Sequence, residues 1–187
     1  PWEVVTAQAQ SSTAAWAAML RQMPYMALLR NLNNLLKHGV TRDADALGYV
    51  VETLHDPERV AKSKQLPFRY FSAIKALERN DSTDDSEAVA KIRQALEEAL
   101  ELSFANMPAL GARVLIANDV SGSMSSKPSA KSDMTMAEIA AIFAAAAYKK
   151  AEHGTIVSFD DTAHPRETLP TSIAAIARAI TGHGGGT

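Results

Sequence analysis

Arg113-Val114-Leu115-Ile116-Ala117-Asn118-Asp119-Val120-Ser121-Gly122-Ser123 is the stretch that decides how this chain reads. Residues 113–118 predict a strand whose apolar run, Val114 to Ala117, gives way abruptly to aspartate and serines. The run is continuous rather than alternating, which predicts a strand covered on both faces. In open parallel sheets, ligands bind beyond the carboxyl ends of the strands. Asp119, Ser121 and Ser123 fall at that end, at a spacing of two. One carboxylate and two hydroxyls make a hard oxygen set suited to a small divalent cation, above all magnesium, which keeps waters and an open position. Zinc would prefer nitrogen and sulfur. The open position can accept a carboxylate from a protein partner.

Downstream, residues 136–151 predict an alanine-rich helix, 155–159 a second strand, 164–168 a short third strand and 172–180 another helix. Strand, helix, strand, helix is the βαβ order of an α/β domain. Only two or three strands fit, where most sheets have about four to six, so the domain is expected to be incomplete at Thr187. An exposed sheet edge then predicts marginal stability for the isolated piece. Asp160-Asp161 reads as a turn, with a supporting position near the metal as the other reading. Ser121 or Ser123 as a nucleophile would need a base. His153, His164 and His183 qualify by type only. His164, beside Pro165, reads as an exposed loop residue, and His183, among glycines, as part of a flexible loop. There is no Gly-x-x-x-x-Gly-Lys-Ser/Thr phosphate loop. The expectation is a protein that is not an enzyme.

Upstream, the periodicity is helical. Trp16, Met19, Leu20 and Met23 follow the capping hydroxyls of Ser11-Ser12-Thr13. Met26, Leu28, Leu29, Leu32, Leu35 and Leu36 make a broad apolar face ending at Gly39, a predicted C-cap. Asp43 or Asp45 can cap a third helix through Leu47, Val50, Val51 and Leu54. Asp56-Pro57 is an N-cap followed by a first-turn proline. Pro67 opens a helix carrying Tyr70, Phe71, Ile74 and Leu77. A polar, acidic loop at 80–86 precedes a long helix with Val89, Ile92, Leu96, Leu100 and Phe104. Short helices on short turns predict a layered α-helical array.

The chain has 187 residues and a net charge of −2, so any nucleic-acid binding must come from a local patch rather than from bulk charge. It has no cysteine, which excludes disulfides, thiolate metal sites and cysteine nucleophiles. No apolar run reaches the roughly 18 residues of a membrane span. No membrane role and no DNA specificity are expected, and the expected setting is cytoplasmic. Within 59–79, Arg59, Lys62, Lys64, Arg69, Lys75 and Arg79 stand against one acid, Glu78. Such a segment can hold phosphates, with Tyr70 and Phe71 available to stack on bases. The spacing of those aromatics favours the core instead. Arg30-Asn31 either caps a neighbouring turn or faces inward, and Trp2 and Trp16 read as packing residues.

Two signatures now agree. Asp119-Val120-Ser121-Gly122-Ser123 resembles the metal-ion-dependent adhesion motif of von Willebrand factor A-type domains, and Gly185-Gly186-Thr187 matches that family's threonine loop. The family's final aspartate has no counterpart in the chain. Met23-Pro24-Tyr25-Met26-Ala27-Leu28-Leu29-Arg30-Asn31-Leu32, preceded by Val5-Thr6-Ala7 and Trp16, resembles the end of the TROVE module of the Ro autoantigen family. So does Leu66-Pro67-Phe68 with its helix through Ile74, Ala76 and Leu77. In that family a ring of HEAT-like helical repeats is closed by an A-type domain. The resemblance implies the end of a helical array over 1–105, then an incomplete Rossmann-like A-type α/β domain over 106–187. It implies a metal set of Asp119, Ser121, Ser123 and Thr187, and a non-catalytic scaffold for small structured non-coding RNAs, Y-like, and for misfolded RNA ends in quality control. Arg59, Lys62, Lys64, Arg69 and Lys75 are the candidate RNA contacts, although most of the family's ring would lie before Pro1. The alternative is a metal-dependent protein-interaction module that binds no RNA.

Overall fold

The computed structural model describes residues 12–79, 85–105, 107–130 and 132–181. The chain divides into two compact units between Ser103 and Phe104.

The first unit is helical, and its boundaries follow from capping chemistry. Ser12, in extended conformation, accepts the Ala15 N–H at 3.3 Å and starts α1 (Thr13–Leu20). Trp16 and Leu20, one turn apart, are buried. α2 (Tyr25–Lys37) begins after Pro24 and buries Leu28, Leu32, Leu35 and Leu36. Gly39, at φ +68, turns the chain into a single 3-10 turn (Val40–Arg42). Of the two aspartates offered for the next helix, Asp43 is the cap: it accepts the Ala46 N–H at 2.8 Å and opens α3 (Ala44–His55). Asp56 accepts the Glu58 and Arg59 N–H groups at 2.8 and 3.0 Å, with Pro57 in the first turn, and opens α4 (Pro57–Ser63). α5 (Phe68–Glu78) follows Pro67. α6 (Ser86–Ser103) is the spine of the unit and packs against α3, α4 and α5. Its buried face combines Ile92, Leu96 and Leu100 with Ala88, Ala95 and Ala99. The leucines and isoleucine each contribute about 2 kcal/mol of burial, and the alanines let neighbouring helices approach closely. Most of the acidic loop, residues 80–84, lies outside the described residues.

The second unit is α/β. β1 (Leu110–Asp119) and β2 (Ala151–Phe159) pair in parallel, and β3 (Ala163–Pro165) joins β2 antiparallel, in the order β1-β2-β3. α7 (Met136–Lys150) is the crossover between the parallel strands, and α8 (Ile173–Thr181) packs against α7. A reciprocal capping box starts α7: Thr135 Oγ1 accepts the Glu138 N–H, and the Glu138 carboxylate accepts the Thr135 N–H at 2.9 Å. The chain passes from Lys150 directly into β2.

Two strand expectations change. The strand 113–118 was expected to be covered on both faces, but burial alternates along β1. Asn118 is buried and Val114 and Ile116 are half-buried, while Leu115 is 71% exposed. The helices that touch the sheet among the described residues cover one face, and the apolar run hid that asymmetry. The third strand spans three residues rather than 164–168. It ends at Pro165, which has no N–H to continue the ladder.

Candidate functional site

Asp119 is the last residue of β1, and its register partner on β2 is Phe159. The next residue, Val120, is buried, and its N–H donates to Phe159 O at 2.8 Å, which ties the start of the loop to the neighbouring strand. Asp119 Oδ1 accepts the Ser121 N–H at 2.9 Å. Ser121 Oγ and Ser123 Oγ lie 3.1 Å apart within mutual hydrogen-bonding distance. The loop curls through a 3-10 turn (Gly122–Ser125) and is pinned again where Met136 N–H donates to Ser126 O at 2.9 Å. The structure therefore gathers three of the four predicted metal ligands on one tight loop at the sheet's carboxyl end. Thr187 lies outside the described residues. An aspartate that bonds its own loop also shapes the turn. The donors are all oxygen, as magnesium requires. Among the described residues, no group of three or more His, Cys, Asp or Glu offers an alternative centre.

Beneath this loop is a polar pair that the sequence reading missed. Asn118 and Ser158 are register partners on β1 and β2, and both are buried. Ser158 Oγ donates to Ile180 O at 2.9 Å, and Asn118 Nδ2 reaches the same carbonyl at 3.5 Å. The end of α8 is thus held beside the residue that precedes Asp119. The signal was present as two polar residues inside otherwise apolar strands.

Asp160 follows β2 at the same end of the sheet. Its Oδ1 accepts the Thr162 N–H at 3.0 Å and lies 3.0 Å from His164 Nε2, while Thr162 Oγ1 lies 3.2 Å from that nitrogen. The turn reading of Asp160 holds. His164 departs from its expected place: it sits on β3, half-buried, paired with Asp160 rather than loose in a loop. The Thr162 N–H, and then the His164 side chain, hold the Asp160 carboxyl well below the usual carboxylate range. His153 is exposed on β2, and His183 is outside the described residues.

In the helical unit, Arg59 and Lys62 lie one turn apart on α4, both exposed, and exposed Lys64 ends that helix in the left-handed conformation at φ +51. Arg59 stands 3.7 Å from Asp56. Arg69 is exposed over the Phe68 ring at 5.3 Å, and Lys75 is half-buried. Six residues apart, Arg69 and Lys75 point about 120° away from each other around α5. The structure groups Arg59, Lys62 and Lys64 but does not put Arg69 and Lys75 on one face. Tyr70 and Phe71 are buried at 0% and 3% exposure, so they are core and not stacking platforms. Asn31 bonds within α2, to Ala27 O and to Asn34, and Arg30 is exposed. Trp16 is buried and stacks on His38.

In sequence order, an array of helices precedes a small α/β unit whose first parallel strand ends in three oxygen donors. The TROVE domain family matches residues 1–85. The RNA-binding protein RO60 of Deinococcus radiodurans is 34% identical over 102 residues, covering 52% of this chain and 19% of that protein. The RNA-binding protein RO60 of Caenorhabditis elegans is 32% identical over 123 residues, covering 64% of this chain and 19% of that protein. Telomerase protein component 1 of Rattus norvegicus is 32% identical over 89 residues, 46% of this chain and 3% of that protein. The crystal structure of the Deinococcus radiodurans RO (RSR) protein superposes with a TM-score of 0.59 at 25% identity, covering 92% of this chain and 41% of that one. The chain is thus similar to Ro proteins in sequence and in fold. It spans less than a fifth of the length of the curated relatives it matches.

Proposed function

We propose that this chain is part of a non-catalytic Ro-type RNA-binding scaffold. The observation that carries the reading is the TROVE match over 1–85 together with relatives named as RNA-binding proteins. The RNA class is small, structured and non-coding, and the role is RNA quality control. Arg59, Lys62 and Lys64 supply an exposed cationic group on and beside α4. Phosphate contacts of this kind give affinity without reading sequence. In the second unit, Asp119, Ser121 and Ser123, completed by Thr187, would hold a divalent cation, and an all-oxygen set suits magnesium. When bound, the ion supplies a site for a carboxylate from a protein partner. The chain's own part is to hold the donors together through the Ser121 N–H, the Ser121–Ser123 contact and the Val120 anchor.

The test is a filter-binding titration of a structured small RNA across salt. Affinity should fall steeply, by about 0.9 in log K per decade of salt for each duplex phosphate neutralised. Arg59→Gln with Lys62→Gln should make that slope shallower. Absence of RNA binding, with retained magnesium-dependent capture of an acidic peptide, would replace this reading with the protein-interaction module.

A further inference from the structure

The helical unit holds a polar cavity that neither the metal loop nor the α4 cations use. Thr13, Lys37, His38, Gly39 and Arg42 line an open space of about 650 Å³. Three elements meet there: the start of α1, the end of α2 and the 3-10 turn that follows. Thr13 Oγ1 donates to His38 O at 2.7 Å and ties the two helices together. The His38 ring stacks on Trp16 at 5.3 Å, with the planes 13° apart, so the imidazole is fixed in place. Arg42 runs across Gly39: a Cβ on that glycine would stand 3.5 Å from Arg42 Cδ and 3.7 Å from Nε. Two exposed cations, Lys37 and Arg42, therefore border one concave surface. Among the described residues, neither takes part in an ion pair.

The charges nearby favour an anion. Asp43 follows Arg42 directly and keeps its single negative charge, although its Oδ1 is engaged in capping α3 through the Ala46 N–H. The end of α2 carries partial negative charge, equivalent to roughly half an electron. Much of it is answered within the protein, since Asn34 O, Leu36 O and His38 O all accept hydrogen bonds. Thr13 stands at the opposite, positive end of α1. The two positive charges of Lys37 and Arg42 outweigh the one carboxylate and the residual helix-end charge. An arginine fork matches a phosphate's paired oxygens, and a lysine adds a point charge.

We infer that this cavity holds a backbone phosphate of single-stranded RNA, with Arg42 and Lys37 gripping the oxygens and Thr13 and His38 shaping the seat. The inference rests on the RNA-binding reading above and adds a particular contact to it. The open side lets a strand pass through, which a pocket for a free ion would not need.

The experiment titrates the full chain with a short fluorescein-labelled oligouridylate across a range of salt. Lys37→Gln with Arg42→Gln should weaken binding several-fold and make the log K against log salt slope shallower by about 0.7, the value for one single-strand phosphate. Lys37→Arg should retain wild-type affinity. Lys127→Gln, an exposed lysine on another loop, should leave both quantities unchanged. If the double variant binds with the wild-type affinity and slope, the cavity assignment is overturned and the RNA-binding reading stands. If the wild-type chain binds no oligouridylate or structured RNA, both fall. Inorganic phosphate that shifts the His38 ring resonances as strongly as the oligonucleotide at equal concentration would overturn the RNA source in favour of a free-ion site.

Discussion

At Gly154 a single added carbon would collide with the helix that leads into its own strand. A Cβ there would stand 2.8 Å from Tyr148 Cδ2 and 3.2 Å from Tyr148 O. The ring can swing, but the carbonyl belongs to the last turns of α7 and cannot. Gly154→Ala should therefore destabilise the protein by about 1–3 kcal/mol, the usual cost of overpacking, as read by chemical denaturation. Asp160 makes a different prediction. Its folded carboxyl ionises below the ordinary value of about 3.9, held down first by the Thr162 N–H and then by His164. A lowered folded value means that its contribution is present above the unfolded value and is lost as pH falls through the folded one. Asp160→Asn should weaken the β2–β3 turn at neutral pH and remove part of the acid sensitivity below about pH 4. Hairpin resonances followed by NMR during acid titration would show it. Equal acid sensitivity in variant and wild type would contradict this.

Among the elements, α7 is the one whose start is most heavily determined. Thr135 and Glu138 satisfy each other's backbone amides, and Met134, buried just ahead of them, fixes the approach. Thr135→Ala should cost about 1 kcal/mol, measured as a lowered denaturation midpoint with an unchanged m-value. Helix boundaries were the most legible feature of the sequence, for a local reason. Ser12, Asp43 and Asp56 cap through amides two or three residues away, so the pattern of types is the mechanism itself. Strand burial was less legible. Val114 to Ala117 are all apolar, yet Leu115 is 71% exposed. Which face is covered depends on helices distant in sequence, and an unbroken apolar run carries no period to reveal it.

Across the whole molecule, each unit has its own core. That of the first is centred on α6, and that of the second lies between α7, α8 and the sheet. Substitutions at the two sites should therefore separate. Asp119→Ala should abolish magnesium uptake in calorimetry while leaving the salt slope of RNA binding unchanged, and Arg59→Gln with Lys62→Gln should do the reverse. Loss of both activities on either change would argue against two independent sites. At this scale the candidate metal loop was legible because its three donors are close in sequence and end a strand. The Thr13, Lys37 and Arg42 cavity was not, because its residues come together only when α1 folds back to the end of α2. The basic segment 59–79 was legible as charge but not as geometry, since a helix disperses residues six positions apart.

The bracket on Ile180 O has one more consequence. Helix ends ordinarily fray, because their last carbonyls lack partners in the helix. Here Ser158 and Asn118 reach up from two adjacent strands to the Ile180 carbonyl, and Thr181 Oγ1 donates back to Ala177 O. The final turn of α8 should exchange its amide protons with deuterium as slowly as the middle of that helix, and Ser158→Ala should release it to rapid labelling.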